Sequence, residues 1–66
     1  MASNILKGQW KQLKGSIKKR WGKLTDDEVD QVEGESEKLI GLLQKKYGYA
    51  KKKAKKQVDE FLDEHS

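Results

Sequence analysis

The chain contains no cysteine and no proline, a single histidine and a single arginine. Without cysteine there is no disulfide framework, no thiol nucleophile and no thiolate metal site. Without proline, and with no Ser- or Gly-rich stretch, nothing marks a linker, so the 66 residues read as one domain, 1–66, ordered over about 4–62 with frayed ends. The lone histidine, His65, is penultimate, where fraying is expected. Ser3, Ser16, Ser36 and Ser66 have no neighbouring base in the sequence, and no glycine loop follows a strand to cradle a phosphate. Catalysis, a cofactor and a metal are therefore not expected. No apolar run approaches the roughly 20 residues of a membrane span, and nothing resembles a signal peptide.

Apolar residues make up only 33% of the chain and charged ones 39%. That is close to the composition at which chains stay unfolded, but 15 basic and 11 acidic residues nearly cancel, leaving +4. The charges lie in blocks. Residues 1–24 carry Lys7, Lys11, Lys14, Lys18, Lys19, Arg20 and Lys23 and no acid. Residues 25–37 carry Asp26, Asp27, Glu28, Asp30, Glu33, Glu35 and Glu37 and no base. Eight lysines follow over residues 38–56, and four acids over residues 59–64.

The apolar spacing is helical throughout. Leu6, Trp10, Leu13, Ile17 and Trp21 form one stripe of an amphipathic helix, and Gly22 stands where a left-handed cap is expected. Thr25, Asp26, Asp27 and Glu28 have the form of a capping box, opening a short second helix with Val29 and Val32 that ends at Gly34. A third helix, started by Ser36 or a nearby acid, holds Leu39, Ile40, Leu42, Leu43 and Tyr47, with Gly48 as its cap. A fourth runs from about Tyr49 to Leu62 on Ala50, Ala54, Val58, Phe61 and Leu62. No segment alternates like a strand. The expected fold is all-α, a compact bundle of three to four short helices whose short connections force packing at angles. Trp10 and Trp21 are expected in its core. Gly8, Gly15 and Gly41, inside helices, suggest close approach of another backbone, although tolerated surface is the alternative.

These residues also carry a resemblance. Gly8-Gln9-Trp10-Lys11-Gln12, Lys14-Gly15 and Trp21-Gly22-Lys23-Leu24-Thr25-Asp26-Asp27, continued by Glu33-Gly34, Leu39, Gly41, Gln44 and Tyr47-Gly48-Tyr49, resemble the CsbD family of small bacterial stress-response proteins. The resemblance spans roughly residues 4–62. It implies a helical domain similar to SAM-like orthogonal bundles, in a cytoplasmic protein made under general stress. It implies no catalytic residue and no cofactor.

Three surface chemistries compete. Asp26, Glu28, Asp30 and Glu37 fall at positions 1, 3, 5 and 12 of a calcium loop, but Gln31 stands where that loop needs glycine, and the capping box makes the segment a helix. Lys7, Lys11, Lys14 and Lys18 form a basic edge beside the Trp stripe. Lys51, Lys52, Lys53, Lys55 and Lys56 form a second cluster near Tyr47 and Tyr49. Together they suit weak, sequence-independent nucleic-acid binding, lysines on phosphates and a tyrosine stacked on a base. The favoured alternative is that the acid block folds back onto a basic cluster, helped on the last helix by Lys55 with Asp59 and Lys56 with Glu60 at i,i+4. The first helix also has the composition of a membrane-surface helix, but its apolar face is needed for the core. The expectation is a non-enzymatic monomer acting through its charged surface, on protein partners or, alternatively, on nucleic acid.

Overall fold

The computed structural model describes residues 6–65. Its helices are α1 (Trp10–Arg20), α2 (Asp26–Val32), α3 (Ser36–Tyr47) and α4 (Lys51–Glu64). A further helical turn over residues 6–8 bends at Gln9 into α1. Among the described residues there is no strand. The all-α bundle is therefore the fold found. Fraying expected of the first residues lies outside the described ones. At the other end α4 passes the expected stop at Leu62, and His65 is held by its Nδ1, 2.8 Å from the Phe61 carbonyl, which accepts.

Each helix packs on its neighbour in sequence, α3 against α4 most extensively. The buried set joins Leu6, Leu13, Ile17 and Trp21 to Val29 and Val32 of α2, Leu39 and Leu43 of α3, and Ala54, Val58, Phe61 and Leu62 of α4. Each large side chain removed from water in this way contributes about 1.5–3 kcal/mol before entropy is counted. The Trp21 and Phe61 rings meet at 5.3 Å between centroids, tilted by 50°, and join the first helix to the last. Trp10 is only half-buried, packed on the edge of this core.

The helix ends follow local chemistry, with one correction. The capping box forms as expected: the Glu28 N–H donates to Thr25 Oγ1 at 3.2 Å, and the Thr25 N–H donates to Glu28 Oε1 at 3.0 Å. Gly48 caps α3 in the left-handed region at φ 71°. Gly22 does not play that role at α1. Trp21 closes α1 at φ −116°, and the Leu24 N–H returns to the Trp21 carbonyl at 3.0 Å. Both Trp21 and Leu24 must point into the core, and a turn between them achieves this without a left-handed residue. At α2 the left-handed position is taken first by Glu33, at φ 53°, and then by Gly34, at φ 78°.

Of the two alternatives for the helix-interior glycines, tolerated surface is the one found at Gly8, Gly15 and Gly41. A methyl group at any of the three would meet open space. The close approach occurs instead at Gly34, which is buried against the backbone of Lys7.

Candidate functional site

The lysines singled out in the sequence divide into two groups. On α1, Lys14 pairs with Asp30 and Lys18 with Asp26 of α2. The 4-3-4 spacing that lines these lysines along α1 places them beside the acids that cap and face α2. The acid block thus folds back onto the basic edge, and half of that edge is neutralised. Lys7 and Lys11 are exposed, away from these pairs.

The acid block also reaches α3. Lys46 Nζ lies 3.0 Å from Glu28 Oε2, with both side chains about three-quarters covered (28% and 24% exposed). The Glu28 carboxyl is held below the ordinary glutamate range, first by the Thr25 backbone N–H and then by the Lys46 ammonium. Lys38 lies 3.1 Å from Glu35 and 3.4 Å from Glu33, clamping the turn between α2 and α3. Its ammonium is pushed above the ordinary lysine range, first by the hydrogen bond to Glu35. Neither Lys38 nor Lys46 was among the sequence candidates. Their signal was available only as position, i,i+3 from Glu35 for Lys38, and for Lys46 not at all.

The acidic segment is a helix, as its cap required, and not a calcium loop. Asp26 opens α2, Asp30 lies within it and Glu37 lies on α3, while Asp26 and Asp30 are already paired with lysines. Among the described residues no group of three or more His, Cys, Asp or Glu is arranged to hold a metal ion.

The second lysine group behaves differently. Lys51, Lys52, Lys55 and Lys56 are exposed on the first two turns of α4, and among the described residues none has an acid within ion-pair reach. The i,i+4 pairs with Asp59 and Glu60 do not close. Two lysines meet aromatic faces: Lys53 Nζ stands 4.7 Å from the Tyr49 ring centroid, and Lys23 Nζ 5.2 Å from that of Tyr47. The two tyrosines stack with centroids 5.3 Å apart, and the Tyr47 hydroxyl accepts the Lys23 backbone N–H at 3.2 Å. The turn joining α3 to α4 therefore carries a half-buried aromatic pair between two cations, beside an uncompensated lysine row. Lys7, Lys11, Lys14 and Lys18 are not part of this patch.

The apolar face of α1 is used internally: Leu13, Ile17 and Trp21 are buried, leaving no apolar stripe for a membrane surface. Among the described residues no helix is long and apolar enough to cross a membrane. Arg20 pairs with Glu64 at 2.7 Å and lies over the Trp21 and Phe61 rings, closing the far end of the core.

A family model for CsbD-like proteins matches residues 4–56. The chain is 49% identical over 63 residues to a UPF0337 protein of Pseudomonas aeruginosa, covering 96% of this chain and 97% of the other. It is 48% identical over 58 residues to the UPF0337 protein YjbJ of Escherichia coli, covering 88% and 84%. With a UPF0337 protein of Rhodopseudomonas palustris the identity is 52% over 59 residues, covering 89% of each. The turn chemistry at Thr25, Gly34 and Gly48, the Trp stripe and these matches agree, and the chain belongs to the CsbD-like family.

Proposed function

We infer that this chain is a non-enzymatic, cytoplasmic general stress-response protein that acts through its charged surface. Membership of the CsbD-like family supports the stress-response part of that reading. One observation supports the surface part: five of the seven acids of the block are paired with Lys14, Lys18, Lys38 and Lys46, while Lys51, Lys52, Lys55 and Lys56 have no counter-charge among the described residues. An exposed row of like charges on one helix raises the free energy of the isolated molecule, and an acidic partner surface lowers it.

The test is replacement of those four lysines by glutamine in a bacterium that depends on this protein for survival under stress. The expected result is loss of protection with the helical fold and the protein level unchanged. Full protection by the variant would overturn the surface reading.

Nucleic acid is the second reading, favoured by Tyr49 and Lys53 beside the lysine row. Amide NMR spectra of the labelled protein, titrated with a short duplex DNA at physiological salt, separate the two. Progressive shifts over residues 49–56 that reverse on adding salt assign the row to phosphate contacts. No movement at millimolar DNA removes nucleic acid and leaves protein partners.

A further inference from the structure

The lysines of α4 form a band around the helix and not a stripe along it. Lys51, Lys55, Lys52, Lys56 and Lys53 follow one another in that order over about 200° of the helix circumference, at 3.6 residues per turn. They rise over only about 8 Å of its axis. All five are exposed, and among the described residues no acid lies within ion-pair reach of any of them. Lys51 with Lys55 and Lys52 with Lys56 are i,i+4 pairs of like charge, which repel.

The aromatic turn extends the band. Lys53 lies over Tyr49, Lys23 over Tyr47, and the two rings stack on each other. A ring face attracts an ammonium without cancelling its charge, so the tyrosines hold Lys53 and Lys23 in place with both charges available. With a stacked ring and an ammonium already on Tyr49, a base reaches that ring only by displacing Lys53.

These features select among anions. The band has no arginine, whose planar fork suits carboxylates, and lysine meets phosphate as a point charge. Asp59 and Glu60 lie exposed on the next turn, without an ion-pair partner among the described residues, so an anion that continued along α4 would meet them. The ligand must therefore cross the helix. A duplex, stiff over about 50 nm, cannot bend away from those acids within one turn, whereas a flexible chain can. A single strand is flexible but carries bases for which the band has no free ring.

We propose that the N-terminal half of α4, together with Lys23, binds linear inorganic polyphosphate, a flexible chain with a negative charge on every unit and no bases. The chain crosses α4 from Lys51 and Lys55, past Lys52 and Lys56, to Lys53 and Lys23. Ala50, Lys52, Lys53, Lys56, Gln57 and Glu60 line a shallow depression on that path. Binding relieves the repulsion among the lysines and releases counterions from the ligand, so it weakens steeply with salt. The proposal rests on the reading that this row is the working surface, and names the ligand the row takes.

Calorimetric titration of the full chain with linear polyphosphate, at several salt concentrations, tests it, and amide NMR spectra locate the site. Shifts are expected over residues 49–56 and at Lys23, with none from orthophosphate at the same phosphate concentration. K52Q/K56Q is expected to weaken binding by about tenfold or more and to lower the slope of log affinity against log salt by about two. K7Q/K11Q removes the same net charge elsewhere and is expected to change affinity less than about twofold. Circular dichroism checks that both variants are helical. Absence of binding to polyphosphate at physiological salt overturns the proposal, and so does an equal loss in the two variants. Short duplex DNA or polyglutamate bound as tightly as polyphosphate, at equal charge concentration, reassigns the band to nucleic acid or to an acidic protein. Loss of stress protection in the four-glutamine variant, with no binding of polyphosphate, keeps the surface reading and removes this ligand.

Discussion

A methyl group placed on Gly34 would stand 2.9 Å from the Cα of Lys7, closer than carbon atoms in different segments can lie. Gly34 also holds φ 78°, a conformation that residues with a Cβ adopt at a penalty. The contact fixes the helical turn before α1 against the connection between α2 and α3, which brings Leu6 into the core at 0% exposure. One glycine thus serves both as a turn residue and as a backbone packing surface.

Gly34→Ala is expected to destabilise the fold by about 2 kcal/mol or more, through combined steric clash and backbone strain. Gly15→Ala and Gly41→Ala, in helix interiors facing open space, are expected to stabilise it by about 0.5–1 kcal/mol each. Urea unfolding of the three variants decides the matter. A Gly34→Ala protein as stable as the parent would show that the Lys7 segment can move away without loss.

The capping box at Thr25 is the main local determinant of where α2 begins. Thr25→Ala is expected to cost about 1 kcal/mol, because the Glu28 N–H loses its acceptor. Glu28→Gln keeps an acceptor for the Thr25 N–H but loses the ionic contact with Lys46. A double-mutant cycle between positions 25 and 28, read by thermal unfolding, should give a non-zero coupling, while Asp27→Asn should couple to neither.

Two groups give stability a defined dependence on pH. The folded-state pKa of Glu28 is lowered, so its contribution is complete above the ordinary glutamate value of about 4.3 and is lost as pH falls through the folded value. The folded-state pKa of Lys38 is raised, so its contribution is complete below the ordinary lysine value of about 10.4 and is lost as pH rises through the folded value. Unfolding free energies measured across both limbs should flatten on the acid side in Glu28→Gln and on the alkaline side in Lys38→Met. An acid limb that Glu28→Gln leaves unchanged would place the dependence on other carboxylates.

The ring contact between Trp21 and Phe61 carries the closure of α1 against α4. Phe61→Ala is expected to lose about 3–5 kcal/mol, enough to threaten folding of so small a domain, and Phe61→Leu considerably less. Trp21 emission should shift to the red in Phe61→Leu as its surroundings loosen. Trp10→Ala, at a half-buried site, should cost less than Phe61→Ala. Equal losses would show that the edge of the core matters as much as its centre.

Much of this was legible before any coordinates. The stripe from Leu6 to Trp21, the Thr25 and Glu28 pair and the glycine at position 48 are local signals, set by helical period and by backbone groups a few residues apart. They gave four helices and most of the core. Gly22 misled, because a glycine after an apolar stripe has the same local appearance whether the chain needs a left-handed cap or a turn into the core. Gly15 and Gly41 were undecided by sequence: a helix-interior glycine has the same local appearance whether it packs on a neighbour or is merely tolerated, and only the neighbouring elements show that nothing approaches it. The charge blocks foretold that acids and lysines would meet, but not that Lys14, Lys18 and Lys46 would be the partners.

The sequence by itself determined the helices, their polarity, most of the residues that leave water (Trp10, half-buried, is an exception) and the family, because periodicity, capping and composition act within a few turns of chain. Tertiary structure alone decided which charges cancel. Helix packing sets α1 and α3 beside the acid block and keeps the first turns of α4 beyond its reach. Two lysine rows of similar appearance therefore end with different fates, one half neutralised inside the molecule and one without counter-charges among the described residues. Ion pairing depends on distances of a few ångströms between segments far apart in the chain, and no local pattern encodes them.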